Sequence, residues 1–269
     1  MLDAFKQRPA NDSIMNQRTD ICALAIVLIT VAAAIGSSAG RAEALENGGS
    51  GLVRTISTLG ANSYLLKGED GWILVDTGMK GSAKGLKKAF RDLGVDPRNI
   101  RLIIITHAHL DHFGELANLK RLTGAKVLAH RYEASFIESG GNSPIVARTP
   151  LGRLINAISP KWKMEGTTVE VVFDDELELA AFGVDGKVVC TPGHTAGSLS
   201  IVLQDGSVLV GDQFRGKAGR LTLGMFYEDG QTLMASLKRI VGFGPKVLYM
   251  SHGATTDLAD LEGFVSTLR

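Results

Sequence analysis

Thr106-His107-Ala108-His109-Leu110-Asp111-His112 is the stretch on which the reading of this chain turns. It follows the apolar run Leu102-Ile103-Ile104-Ile105, which predicts a buried strand, so the polar residues fall in the loop just past a strand end. Three imidazoles and one carboxylate lie within six residues. Imidazole nitrogen and carboxylate oxygen are donors that first-row metals take, so His107, His109, Asp111 and His112 read as a metal-binding loop.

Outward from that loop, 269 residues with 45% hydrophobic and 21% charged composition suffice for a full core. A net charge of +1 gives no electrostatic footprint for a polyanion, so nucleic acid is not expected as a partner. The N-terminus carries an address. Ile21 to Ile35 is an apolar run too short to span a bilayer, followed by small residues and the A-x-A pattern Ala42-Glu43-Ala44. Residues 1–44 are expected to be a signal peptide, with Met15 an alternative start and an uncleaved membrane anchor the alternative fate. The expected product is periplasmic or extracellular, with no stable membrane association after cleavage. Cys22 would leave with the signal and Cys190 would stand alone, so no internal disulfide is expected and Cys190 reads as a small buried hydrophobe.

Residues 45–269 read as one domain. Strand-like runs at Val53 to Leu59, Ser63 to Lys67 and Trp72 to Asp76 predict an antiparallel meander. A helix over Ser82 to Leu93 follows, then the strand Leu102 to Ile105, a helix over about Phe113 to Leu122 and a strand Ala125 to Ala129. This order implies a crossover and parallel pairing. Arg131 to Thr167, rich in Gly and Pro, reads as a lid-like insertion with one short helix near Leu151 to Ile158. Strands are expected again at Thr168 to Phe173, Glu176 to Ala180, Lys187 to Thr191, Leu199 to Leu203, Val208 to Val210 and Lys246 to Met250, with helices near Gln231 to Val241 and Asp257 to Leu268. The two halves echo each other: Trp72 to Asp76 and Ser207 to Asp212 are both apolar strands ending in an acid. A helix and a further strand running into histidine follow each. The expected architecture is a four-layer αβ/βα sandwich of two mixed sheets, helices outside, with a site along one edge.

His194, in Pro192-Gly193-His194-Thr195, then Asp212 and His252 each lie just past a predicted strand. Five of the six histidines therefore occupy loops that adjacent strands bring together. The sixth, His130, has no acid beside it and reads as structural or surface.

Asp76-Thr77-Gly78, the His107 to His112 motif, His194, Asp212 and His252 together resemble the five ordered motifs of the metallo-β-lactamase fold superfamily, from about Val53 onward. The resemblance implies His107, His109 and His194 on one metal, Asp111, His112 and His252 on another, and Asp212 bridging them. Asp76 is implied to orient ligands rather than bind metal. It also implies two zinc ions, with iron or manganese as alternatives, whose shared hydroxide attacks a small ester, lactone, thioester or amide while Asp111 or Asp212 handles the proton.

Departures from particular members narrow the substrate. True β-lactamases of this superfamily place Cys or Ser where Asp212 stands, and quorum-signal lactonases commonly carry Tyr where this chain has Arg215. An iron persulfide dioxygenase, a β-lactamase and a non-catalytic metal-binding module are the alternatives. Trp162, Phe214, Arg215, Phe226 and Tyr227 are candidate walls of a pocket for a small-molecule substrate. The oligomeric state has no sequence signal.

Overall fold

Central strands that are apolar on both faces need cover on both sides, and this requirement sets the layering. The structure, a computed structural model, describes residues 51–158 and 162–268. The expected signal segment and its cleavage at Ala44 lie outside the described residues. Six strands form the first sheet in spatial order: β1 (Val53–Ser57), β2 (Asn62–Lys67), β3 (Trp72–Val75), β4 (Ile100–Ile104), β5 (Lys126–His130) and β6 (Val171–Phe173). The first three form the expected antiparallel meander, and β3 to β6 are parallel. The chain continues through β7 (Glu176–Glu178), β8 (Gly186–Cys190), β9 (Leu199–Leu203) and β10 (Ser207–Leu209), a hairpin of β11 (Arg215–Lys217) and β12 (Arg220–Thr222), and β13 (Val247–Tyr249). The second sheet has the order β13-β10-β9-β8-β7, antiparallel except for the pair β10 and β13.

Alternation along the strands divides the core into two halves. Leu102 and Ile104 of β4 join Leu66, Ile73 and Val75 in the seam between the sheets, facing Val188, Leu199, Ile201 and Leu209. Ile103, one residue out of phase, points the other way with Leu65, Leu74 and Val127. There it meets Leu86 and Phe90 of α1 (Ala83–Asp92) and, beyond the short α2 (Leu110–Phe113), Leu119 of α3 (Leu116–Thr123) and Ile137 of α4 (Arg131–Ser139). Past α5 (Pro150–Ile158), the second sheet is covered by Leu237 and Ile240 of α6 (Gly230–Gly242) and Leu261 of α7 (Leu258–Thr267), packed on Val208, Val210 and Leu248. The result is the expected αβ/βα sandwich of two mixed sheets. Truncating a fully buried side chain such as Ile103 to Ala would cost about 2–5 kcal/mol.

The echo between halves is a topological fact. β3 crosses through α1 to the parallel β4, and β10 crosses through α6 to the parallel β13. Asp76 follows β3 and His107 follows β4, while Asp212 follows β10 and His252 follows β13.

Arg131 to Thr167 departs from the expectation of an insertion with one helix. Its first nine residues are α4, whose Glu133 and Ile137 are buried. The glycines and prolines that suggested irregular chain come after this helix, and Gly140 caps it in the left-handed conformation. The second helix, α5, falls where a short helix was expected. Just before it, Ala147 pairs with Phe226, and Tyr227 N donates to Val146 O at 3.1 Å, so this segment is strapped to the chain that precedes α6.

Candidate metal centre

The first donors are placed by β4 and its neighbour β3. Asp76, just past β3, has φ +57°, and among the described residues it is the one non-glycine with positive φ. The turn aims its carboxylate across to the end of β4. Oδ1 accepts from Thr106 N at 2.8 Å, and Oδ2 accepts from Thr106 Oγ1 and from His112 Nδ1, both at 2.8 Å. A carboxylate only accepts, so His112 carries its proton on Nδ1 and turns Nε2 toward the site. His109 is the extended residue before α2, whose single turn carries Asp111 and His112 and ends on the buried Phe113.

The remaining donors come from the second half. His194 sits where the first turn of α6 presses on the loop after β8: Gly193 has φ +131°, and a Cβ there would lie 2.3 Å from Leu233 Cα. Only glycine satisfies both conditions. Glu228 N donates to His194 O at 2.9 Å and Asp229 N to Gly193 O at 3.0 Å, which joins this loop to the start of the helix. His252 is braced by the β11 hairpin. Gly216 N donates to its carbonyl at 3.2 Å, and a Cβ on Gly253 would lie 2.1 Å from Gly216 O.

These loops converge on a single cluster. His107 Nε2, His109 Nδ1 and His194 Nε2 form a triangle with edges of 3.1, 3.1 and 3.2 Å. Three nitrogens arranged tetrahedrally around zinc stand about 3.3 Å apart, so the spacing suits one ion. On the other side His252 Nε2 lies 3.3 Å from Asp111 Oδ2, and His112 Nε2 lies 3.8 Å from Asp111 Oδ1. Asp212 stands between: Oδ2 is 3.1 Å from His252 Nε2 and 3.8 Å from His194 Nε2, and Oδ1 is 3.4 Å from His112 Nε2. Among the described residues, the groups of three or more donors able to hold an ion all fall here. Two of the buried atoms, His112 Nε2 and Asp212 Oδ1, have no hydrogen-bond partner. Buried polar atoms of this kind are costly unless something meets them, and a cation meets both.

The donors divide by charge. Burial holds His107 well below its ordinary pKa and lowers His109 and His194 to about 4, leaving three neutral imidazoles with free lone pairs. At the other end burial also acts to lower His112 and His252. The carboxylates of Asp76, Asp111 and Asp212 outweigh it at His112, raised to about 9, and Asp212 and Asp111 outweigh it at His252, raised to about 10. Asp111 and Asp212 stay ionised, held low by these histidines against the opposing effect of burial. One end is neutral and the other calls for positive charge. Asp111, with 27% of its side chain exposed, is the most open of the seven, so solvent reaches the cluster past it.

The pocket candidates scatter. Phe214 is a correction: it is fully buried in the outer core against Phe264, with ring centroids 6.2 Å apart, and offers no face to a substrate. The residue after a metal-site loop anchors that loop, which is why an apolar side chain stands there. Arg215 is half-buried on β11, in the hairpin that braces His252. Phe226 and Tyr227 are half-buried, and the Arg148 guanidinium lies 4.9 Å from the Tyr227 ring centroid. Trp162 is exposed. His130 is structural, as expected, with Nδ1 accepting from Tyr132 N at 3.1 Å to cap α4.

Sequence reading missed Glu133. It is fully buried on α4, inside the segment expected to be a lid. Oε2 accepts from Ala108 N at 2.7 Å, between His107 and His109, while Oε1 accepts from Thr195 Oγ1 at 2.7 Å and Gly197 N at 3.1 Å, beside His194. One carboxylate thus ties together the two loops that carry the imidazole triangle. The available signal was an acid four residues before Ile137 on the inward face of an amphipathic helix.

Known proteins resemble this chain in sequence and fold. At 24% identity, the "Probable metallo-hydrolase YflN" of Bacillus subtilis (strain 168) covers 73% of this chain and 83% of its own length. The "Probable metallo-hydrolase YqgX" of the same organism is 27% identical over 76% of this chain and 90% of its own. Among solved structures, MIM-2 metallo-beta-lactamase superposes with a TM-score of 0.62 at 17% identity, over 81% of this chain and 84% of that one. BJP-1, a subclass B3 metallo-beta-lactamase of Bradyrhizobium japonicum, has a TM-score of 0.59 at 23% identity, over 81% and 88%. Such low identities speak for the shared fold. The profile described as "Metallo-beta-lactamase superfamily" matches residues 56–252, the stretch from β1 to the last histidine of the cluster. The chain belongs to the metallo-beta-lactamase superfamily.

Proposed function

We propose that this chain is a hydrolase of a small ester, lactone, thioester or amide, working with two zinc ions. The observation that carries the proposal is Asp212, whose carboxylate lies within 3.8 Å of His194 on one side and 3.4 Å of His112 on the other. His107, His109 and His194 would hold one ion, Asp111, His112 and His252 the other, with Asp212 shared. Bound there, two such ions supply an acidic water and positive charge against the substrate oxygen that becomes anionic.

The chain's own residues supply the rest. Asp76 keeps a proton on His112 Nδ1 and so fixes the direction of Nε2. Fully buried His107 and His112 close the floor of the site to bulk water. Asp111 and Asp212 are the carboxylates placed to take the proton lost by water, and the partial exposure of Asp111 gives that proton a route out. The apolar run and A-x-A pattern before Leu45 support export, with cleavage near Ala44.

The test is a hydrolysis panel of lactones, thioesters, β-lactams and phosphodiesters on metal-quantified protein. About two zinc per chain and turnover of one acyl class are expected. Silence across all four classes would refute the proposal, and one iron per chain would point to redox chemistry instead.

A further inference from the structure

A surface helix ordinarily turns its apolar stripe toward the core. α5 does the reverse. Its inward contact is Gly152, where a Cβ would lie 3.2 Å from Met225 O. Leu151, Leu154 and Ile158 recur at helical spacing along the outer face and are 51%, 58% and 52% exposed, and Trp162 beyond the helix is 38% exposed. A contiguous apolar face of this kind on a folded chain marks a surface that something else covers.

The charges around it indicate what. From Ser139 to Met164 the sequence contains Arg148, Arg153, Lys161 and Lys163 and no acid, although the whole chain has a net charge of only +1. Without that run the chain is acidic. Arg148 is occupied, with Nε donating to Tyr227 O at 2.8 Å and the guanidinium over the Tyr227 ring. Arg153 and Lys163 are exposed and, among the described residues, form no ion pair. An outward leucine and isoleucine stripe, an exposed tryptophan four residues further along the sequence and the exposed cations Arg153 and Lys163 have the composition of a segment lying in a lipid interface.

We propose that α5 and Trp162 dock reversibly on an anionic lipid bilayer, the leucine stripe entering the headgroup boundary and Arg153 and Lys163 meeting lipid phosphates. No helix among the described residues is long and apolar enough to cross a membrane, so the contact is peripheral. The cluster of donors is not part of it.

The experiment uses the full chain and the fluorescence of Trp162, with Trp162→Phe as the blank for Trp72. Vesicles of phosphatidylcholine alone, and with about one-third phosphatidylglycerol, carry brominated acyl chains as contact quenchers. Quenching at Trp162 reports this face itself, whatever residues 21–35 do on the same vesicle. The expected result is a blue shift and quenching on the anionic vesicles that fade as salt is raised. Leu154→Asp should weaken that binding on the order of tenfold or more. Arg153→Gln and Lys163→Gln should each weaken it by roughly fivefold. These residues are exposed, so the variants should fold, with unchanged zinc content as the check. An unquenched Trp162 on anionic vesicles overturns the proposal. So does quenching that survives all three substitutions, or a dimer in light scattering that Leu154→Asp dissolves, which would assign the face to a second copy of the chain.

Discussion

Glu133→Gln keeps the shape of a buried side chain and removes only its charge and one acceptor, so it isolates what the carboxylate does. All three partners of Glu133 present hydrogens: Ala108 N and Thr195 Oγ1 at 2.7 Å, and Gly197 N at 3.1 Å. A carboxylate accepts all three, whereas an amide has one oxygen. If the amide oxygen takes the Oε2 place, Ala108 N is satisfied. Thr195 can turn its hydroxyl toward Ser198 Oγ, 2.8 Å away, but Gly197 N then faces an amide NH2. If the oxygen takes the Oε1 place, Ala108 N is stranded instead. Either way one buried backbone N–H loses its acceptor, at about 1–3 kcal/mol, and the surviving bonds lose their charge assistance. The sum is about 3 kcal/mol, or roughly a 6–12 °C fall in Tm for a domain of this size. Because whichever group is stranded, Ala108 N or Gly197 N, belongs to a loop that carries His107, His109 or His194, zinc affinity at the imidazole triangle should also fall about 10–100-fold. Thermal melts and competition with a chromophoric chelator read the two effects separately. A Tm and a zinc affinity both within error of wild type would falsify the assignment of Glu133 as the tie between the loops.

Asp76→Asn should keep the backbone, since Asn tolerates positive φ. It offers His112 Nδ1 an NH2 in place of an acceptor, so the imidazole turns its proton toward the site; isothermal titration should find at least about tenfold weaker zinc binding, and unchanged affinity would refute the orienting role. Asp212→Asn should lower zinc content from about two per chain toward one and abolish turnover, measured by elemental analysis after gel filtration; full content with full turnover would remove the case for a shared carboxylate. Stripping metal with a chelator should lower Tm by an amount that grows with the free zinc it replaces, about 2.7 kcal/mol for saturation at a hundred times Kd; a Tm indifferent to zinc would show that the cluster holds none. Burial raises the Cys190 thiol to about 11, so at pH 8 about one molecule in a thousand carries the thiolate. Alkylation of the Cys190 peptide should therefore speed up about tenfold per pH unit toward that value, and rapid labelling at pH 8 would contradict the raised pKa of this thiol, which is half-buried rather than fully buried as the sequence suggested.

What the sequence made legible was whatever strand ends dictate. The uninterrupted Leu102 to Ile105 run announces a strand buried on both faces, and a strand so placed delivers the next residues to a sheet edge. Asp76, His194, Asp212 and His252 follow the same rule, so their convergence needed only adjacent strands. Glu133 was missed, and Phe214 misassigned to the pocket, for the opposite reason. Each owes its place to contacts far along the chain, Glu133 with Thr195 and Phe214 with Phe264, and neither sits at a boundary that local pattern marks. α4 was misread because Gly140 and the prolines were taken to break a segment that they only end. The outward stripe of α5 reads in sequence like any amphipathic helix, since periodicity gives the width of a face but not its direction.

The paired crossovers have a consequence for assembly. The loop from His107 to His112 is local and can form donors as soon as its strand is in place, but Asp212 and His252 arrive only when the second sheet closes over the seam of Leu66, Ile73, Leu199 and Ile201. Joining elements so distant in sequence is slow, and its entropic cost falls on folding rather than on ion capture. A chain caught halfway would hold a metal loosely on four clustered side chains. The finished chain meets it with seven donors already held in place. Tight retention of an ion is thus a late readout that both halves have closed, and a chase of isotopically labelled zinc during refolding would time that closure.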